Sequence, residues 1–306
     1  MAIATQKDTY MNTKQNLGWI GVGKMGTPMS TNLLKAGYTL TVFDVVPAAM
    51  KALVDQGANP AQSPAEVADQ SDIIISMIPD DTALEEISTG AQGIFQGSKQ
   101  GIIYIDMSTV SPAVSARIGE IAEKKGIQYL RAPVSGSTES AVTAALTILA
   151  SGPKNTFDQC RPIFETLGQK VFYAGAGDQA RYLKLLINMM VGITSAMTAE
   201  ALVFGKRGGI DWDQMIDIIN NSVVASPLIG FKVQLLKERR YAPMFTAAQM
   251  AKDFDLALDS GRKTDTPMPL TALTRQLYGA MKATGKGELD YFGMVALMEE
   301  MAGIKS

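Results

Sequence analysis

The sequence predicts an α/β fold, a doubly wound parallel-sheet domain followed by an all-α domain, and three observations carry that prediction. Short apolar runs alternate with helical patterns from Leu17 to Gly175. Beyond Gly177 only helical periodicity remains. One long apolar pattern, from about Asp178 to Arg207, bridges the two regimes. A chain of 306 residues has room for about two domains. The divisions are a loose polar leader over 1–15, the α/β domain over 16–177 and the helical domain over 178–306.

The first strand is the run Leu17–Ile20, which stops at Gly21-Val22-Gly23-Lys24-Met25-Gly26. A helical pattern follows, with Met25, Met29 and Leu33 on one face. Strand, G-x-G-x-x-G turn and helix is the order of a dinucleotide-binding crossover. In it Gly21 makes the tight turn, Gly23 lets the backbone approach a pyrophosphate, and Gly26 lets the helix pack closely. The second strand, Tyr38 to Asp44, ends in an acid 18 residues beyond Gly26. A carboxylate near that offset accepts ribose hydroxyls and repels a 2′-phosphate, which favours NAD over NADP. Val45 and Val46 follow, with no arginine nearby to receive a phosphate.

Ser63-Pro64-Ala65-Glu66 reads as a capping box, and Asp72–Ile78 as a continuous apolar run of the kind buried on both faces of a parallel sheet. Further strands are expected at Ile102–Asp106, Ile127–Val134, Ala145–Ala150 and Lys170–Ala174, with helices at Ser111–Lys125 and Asn155–Leu167. After the bridging helix stops at Gly208-Gly209, helices are expected at 212–220, 228–238, 247–263, 269–284 and 291–302.

Composition narrows the chemistry. The chain has no histidine, which removes the commonest general acid–base and the commonest zinc ligand. With one cysteine, Cys160, there is no internal disulfide, no metal site is expected, and a cytoplasmic location fits. A net charge of −2 without a basic run points to neither nucleic acid nor a membrane surface, and no apolar run is expected to approach the ~20 residues of a membrane span. Proton transfer is left to Lys, Asp, Glu, Tyr or Cys160.

Lys184 and Asn188 lie four apart on the bridging helix and share a face. Such spacing also fits a solvated surface pair, but Leu183, Leu185, Leu186, Ile187, Met189 and Met190 surround it with apolar residues. A lysine there suits acid–base work at a carbonyl or hydroxyl oxygen, with Asn188 holding the substrate hydroxyl or the lysine. Ser135-Gly136-Ser137 follows a strand and reads either as an anion-binding turn or as an ordinary polar turn. Ser108-Thr109 sits at the C-terminal edge of the sheet, where ligands bind. Lys252-Asp253, taken alone, reads as a surface charge pair.

Together these residues resemble the β-hydroxyacid dehydrogenase family, which includes 3-hydroxyisobutyrate dehydrogenase and tartronate semialdehyde reductase. The marks are Gly-Trp-Ile-Gly-Val-Gly-Lys-Met-Gly over 18–26, Asp-Met-Ser-Thr over 106–109, Ala-Pro-Val-Ser-Gly over 132–136, Gly-Ala-Gly before Lys184 and Asn188, and Lys252-Asp253. The resemblance implies a Rossmann-type domain whose cofactor contacts include the 21–26 turn, Asp44, Val45, Ile78, Pro79, Thr109 and Lys252. It implies Lys184 as the catalytic lysine and Asn188 as the substrate-holding residue. Ser108, Ser135, Gly136 and Ser137 fall at its substrate positions. It further implies hydride transfer between NAD and a small 3-hydroxy acid or its semialdehyde, and a homodimer or homotetramer formed through the helical half. Three departures cluster at the substrate turn: Arg131 stands where the family often has Asp, Ser137 where it has Gly, and Ala144-Ala145-Leu146 where it has Gly-Thr-Leu. An imine reductase or reductive aminase resembles the same architecture but places Asp or Tyr where Lys184 stands. A non-catalytic dinucleotide-binding protein would tend to lose the lysine and keep the turn.

Overall fold

The computed structural model describes residues 15–97 and 99–304, so the expected leader lies outside it except for Gln15. The chain divides into two compact units, Met1–Lys184 and Leu185–Ser306. The division falls inside the long helix, seven residues beyond the boundary read from the sequence.

The first unit holds strands β1 (Asn16–Ile20), β2 (Thr39–Phe43), β3 (Asn59–Pro60), β4 (Ile73–Ser76), β5 (Ile103–Asp106) and β6 (Gln128–Arg131) in one sheet. Its order is β3-β2-β1-β4-β5-β6 and every pairing is parallel. Helices α1 (Gly26–Lys35), α2 (Lys51–Val54), α3 (Pro64–Gln70), α4 (Asp81–Thr89) and α5 (Pro112–Lys124) make the crossovers. The order reverses between β1 and β4, which opens a switch point at their C-terminal ends. β4 shows why its sequence is continuously apolar. Ile73 and Ile75 enter the core on one face, Ile74 enters the core on the other, and all three are fully buried.

The expected strand over 127–134 is broken in two. Ala132 makes the last ladder bond, donating to the Asp106 carbonyl (2.8 Å), and Pro133 has no N–H to continue. The chain then leaves the sheet as β7 (Val134–Ser135), followed by α6 (Thr138–Val142), β8 (Leu146–Ala150), α7 (Lys154–Leu167) and β9 (Gly168–Tyr173). β7, β8 and β9 form a separate three-stranded sheet, antiparallel then parallel, where sequence periodicity alone suggested an extension of the first. Helices α4 and α6 were not apparent from apolar spacing; Asp80 and Ser137 cap them. At the predicted capping box Ser63 accepts from the Glu66 amide, but the Glu66 carboxylate accepts from the Gln62 amide instead of the cap's own.

Asp72 fastens the start of β1 beside β4. One carboxylate oxygen accepts from the Asn16 amide (3.0 Å) and the other from Lys99 (2.7 Å). The Lys99 hydrogen bond outweighs partial burial and holds the Asp72 carboxyl below its ordinary 3.8. A depressed carboxyl stabilises the fold above its unfolded pKa and loses that contribution as pH falls through the folded value. The pair is substantially solvated, so Asp72→Asn should cost under about 1 kcal/mol at pH 7. Thermal unfolding of both proteins across pH should show that difference shrinking below about pH 4.

Helix α8 (Gln179–Arg207) crosses the division. Polar residues interrupt it, yet an 18-residue stretch has a mean hydropathy of 1.5, long and apolar enough to cross a membrane. Of that stretch 44% is buried within the protein, and a core helix passes the same test of length and composition. In the second unit α9 (Trp212–Asn220), α10 (Pro227–Glu238), α11 (Ala247–Lys263), α12 (Pro269–Ala283) and α13 (Met294–Met301) pack around Phe254, Tyr278 and Phe292, all fully buried. The buried Lys232–Asp290 ion pair (2.7 Å) ties α10 to the turn before α13.

Candidate active site

The glycine turn has a separate physical reason at each position. Gly21 has φ +91°, and a Cβ there would strike the Met77 carbonyl of the neighbouring strand end. A Cβ on Gly26 would strike the Gly21 carbonyl, so the helix start packs against the turn itself. Gly23 is exposed, and a Cβ would meet no atom within 4 Å, which leaves its backbone open to a ligand. Met25 at the N-cap of α1 supplies no side-chain cap; the Thr27 amide donates to the Gly23 carbonyl (3.0 Å) and Pro28 has no N–H, so the Gly26 amide is the first-turn donor positioned for a phosphate. Trp19, not singled out in the sequence, donates its indole N–H to the Gly21 carbonyl (2.9 Å) and pins the turn from beneath.

Asp44 is tied to this turn. Its carboxylate accepts from the Val22 amide (2.9 Å) with one oxygen and from the Val46 amide (2.8 Å) with the other. Each oxygen keeps a lone pair for a ribose hydroxyl. Val45 beside it is 81% exposed, an apolar surface next to the acid. The glycine turn, exposed at Gly23 and Lys24, the Gly26 amide and half-buried Asp44 fit a dinucleotide, and 21–26 with Asp44 and Val45 would hold it.

At the next strand ends a buried network orders two loops. Asp106 accepts from Ser76 (2.6 Å) and Ser108 (2.6 Å) through Oδ1, and from Arg181 (2.5 Å) through Oδ2. The Ser108 hydroxyl also accepts from the Ile78 amide (2.9 Å), which joins the loop of Ile78 and Pro79 to that of Thr109. Ser108 departs from the expected substrate contact. It is fully buried with its hydroxyl engaged on both sides, while half-buried Thr109 is the more accessible of the two. The sequence did not mark Arg181, because a lone arginine on an apolar helix has no pattern.

At the substrate turn, Gly136 has φ +143° and Ser135 is half-buried. Ser137 caps α6, accepting from the Ser140 amide and donating its own amide to the Ser140 hydroxyl, both at 3.3 Å. Arg131 is buried, donates to Asp178 (2.8 Å) and lies over the Tyr129 ring, 4.6 Å from its centre. Its departure from the family therefore has a structural partner at the entrance to α8. Beside Gly23 and Lys24, a cavity of about 540 Å³ continues along α1 to Thr138 and Val142 of α6.

Lys184 lies half-buried in the second turn of α8, at the end of the first unit. Asn188, one turn on, is buried in the second unit, where its amide donates to Asp253 (2.5 Å). Its carboxamide oxygen remains the acceptor. Lys252 stands 3.2 Å from the other Asp253 oxygen. Asp253 is 1% exposed, so Lys252-Asp253 is not the surface charge pair its isolated sequence suggests. Burial pushes the Cys160 thiol up to about 12 and raises the Tyr104 and Tyr129 phenols above their ordinary 10.0.

A parallel sheet with a glycine turn at its switch point, an acid after β2 and a lysine on the exit helix defines a dinucleotide-dependent oxidoreductase. Two family models cover the chain: the NAD binding domain of 6-phosphogluconate dehydrogenase over 16–175, and the NAD-binding domain of NADP-dependent 3-hydroxyisobutyrate dehydrogenase over 175–298. The chain is 33% identical to 2-(hydroxymethyl)glutarate dehydrogenase of Eubacterium barkeri, over 96% of its own length and 98% of that protein. It is 35% identical to the mitochondrial 3-hydroxyisobutyrate dehydrogenase of Mus musculus, over 95% and 89%. The structure of Mycobacterium tuberculosis 3-hydroxyisobutyrate dehydrogenase with L-serine superposes with a TM-score of 0.86 at 26% identity, covering 94% of this chain and 99% of that one. The chain belongs to the β-hydroxyacid dehydrogenase family, and is an NAD(P)-dependent hydroxyacid dehydrogenase.

Proposed function

We propose that the protein oxidises a small 3-hydroxy acid, or reduces its semialdehyde, with NAD as cofactor and Lys184 as general acid–base. The observation that carries the reading is Lys184 itself, a half-buried amine on the helix leaving the dinucleotide-binding unit, in a chain with no histidine. When bound, NAD supplies the hydride acceptor, or NADH the donor. In oxidation the neutral Lys184 amine takes the proton from the substrate hydroxyl oxygen; in reduction its ammonium returns one. Asn188 donates its second amide N–H to the same hydroxyl oxygen, and Ser135 with the Gly136 backbone receives the carboxylate. Thr109 and Lys252 contact the cofactor.

Assembly as a homodimer or homotetramer belongs to this proposal. Its support is a stripe of exposed apolar residues along one face of α8, Leu186, Met190, Met197 and Phe204. A cytoplasmic location is proposed with it, consistent with the lone buried thiol of Cys160. Steady-state rates over 3-hydroxyisobutyrate, glycerate, L-serine, 4-hydroxybutyrate and 2-(hydroxymethyl)glutarate test the reaction class. Turnover of cyclic imines without turnover of any hydroxy acid would overturn it.

NAD preference rests on Asp44, a carboxylate where a 2′-phosphate would need a cation, while one family model is described as NADP-dependent. Asp44→Asn should raise the KM for NAD about 10- to 100-fold, the size of losing hydrogen bonds to a charged acceptor, and narrow the gap to NADP. A wild-type kcat/KM higher with NADP than with NAD would remove this part of the proposal.

A further inference from the structure

We infer that Arg181, acting through Asp106, is a positioning residue that sets the catalytic lysine against the two cofactor loops; this rests on the acid–base role proposed for Lys184. Arg181 is 1% exposed, and its guanidinium donates to four acceptors. They are Asp106 Oδ2 (2.5 Å), the Ser108 carbonyl (2.8 Å), the Ser115 hydroxyl (3.0 Å) and the Tyr129 hydroxyl (3.0 Å). Those acceptors come from β5, the loop after it, α5 and β6, so one planar side chain triangulates the start of α8 against the sheet. Burial alone would lower the arginine's pKa, but Asp106 and Tyr129 raise it further, so the cation persists at every working pH.

The same carboxylate reaches the other ligand segments. Asp106 Oδ1 accepts from Ser76, two residues before Ile78, and from Ser108, one residue before Thr109. Arg181 lies three residues before Lys184, one turn back on the same helix. Ile78, Thr109 and Lys184 thus hang from one buried ion pair, none of whose atoms need touch a ligand. A second clamp acts at the helix entrance, where Asp178 accepts from Arg131 (2.8 Å). Tyr129 joins the two clamps, its ring beneath Arg131 and its hydroxyl on Arg181.

A stability role alone would lower the folded fraction and leave the folded enzyme's rate intact. A positioning role lowers kcat in folded enzyme, because sub-ångström misplacement of the proton carrier is costly. Arg181→Lys keeps a cation for Asp106 but lacks the fork that reaches the other three acceptors. Assayed well below its Tm, it should lose about 10- to 100-fold in kcat with the KM for NAD within about twofold. In a Lys184→Ala background the same substitution should cost no further rate, since the group it positions is gone. Tyr129→Phe removes one hydroxyl and should show the same pattern at about 2- to 5-fold, which supplies the answer should Arg181→Lys fail to fold. Wild-type kcat in folded Arg181→Lys or, where that variant does not fold, in Tyr129→Phe, or an equal loss with and without Lys184, would overturn the inference. Full turnover by Lys184→Ala alone would instead overturn the proposed chemistry, and the positioning role with it.

Discussion

Replacing Lys184 by alanine is expected to lower kcat by about 10²–10⁴-fold, the usual worth of a positioned general acid–base, with the KM for NAD little changed. No histidine exists to substitute, and Cys160, Tyr104 and Tyr129 are held in their neutral forms by burial. The pH dependence gives a second readout with opposite signs for the two directions. Oxidation needs the neutral amine, so its rate rises with pH through the lysine limb; reduction needs the ammonium, so its rate falls. Both limbs should vanish in Lys184→Ala. Lys184→Arg should not restore activity, because a guanidinium does not release its proton in this range. Stopped-flow hydride transfer and steady-state pH profiles check all three. A Lys184→Ala enzyme with wild-type kcat would end the assignment.

Asp106→Ala is expected to be the most damaging single change to stability, at about 3–5 kcal/mol. It leaves the Arg181 guanidinium, fully buried, without its counter-charge, and strands the donors of Ser76 and Ser108. The asymmetry of buried ion pairs is the reason: forming one gains little over an apolar pair, but removing one partner leaves the full desolvation cost of the other. Urea unfolding should show the loss in the transition of the first unit, followed by the fluorescence of Trp19 with Trp212 replaced by Phe in both proteins. A loss below about 1 kcal/mol would mean that water reaches this network and would weaken its proposed role in ordering the loops.

The α/β-then-α order was legible because it rests on local periodicity. Ile73, Ile74 and Ile75 form an unbroken apolar run because both faces of β4 are covered, and the glycine turn was legible because only glycine tolerates what happens at Gly21 and Gly26. The separate small sheet was not legible. Its strands carry the same β-type residues as the first, and what divides them is the missing N–H of Pro133 and the pairing partner chosen beyond it. The resemblance puts Ser108 and Ser137 at substrate positions, but sequence does not tell a hydroxyl facing a ligand from one bonded to a neighbour.

What the sequence by itself determined was the family and its cofactor class: a glycine turn, an acid at the end of β2, and Lys184 with Asn188 on an apolar helix in a chain with no histidine. Those depend on residue identity and short spacing, which covalent order preserves. What only the tertiary structure decided was what holds these parts in place. Arg181 meets Asp106 across 75 positions, Arg131 meets Asp178 across 47, and Asn188 meets Asp253 across 65. A buried charge needs its partner in space, and nothing in the local pattern around either member records where the fold will bring the other.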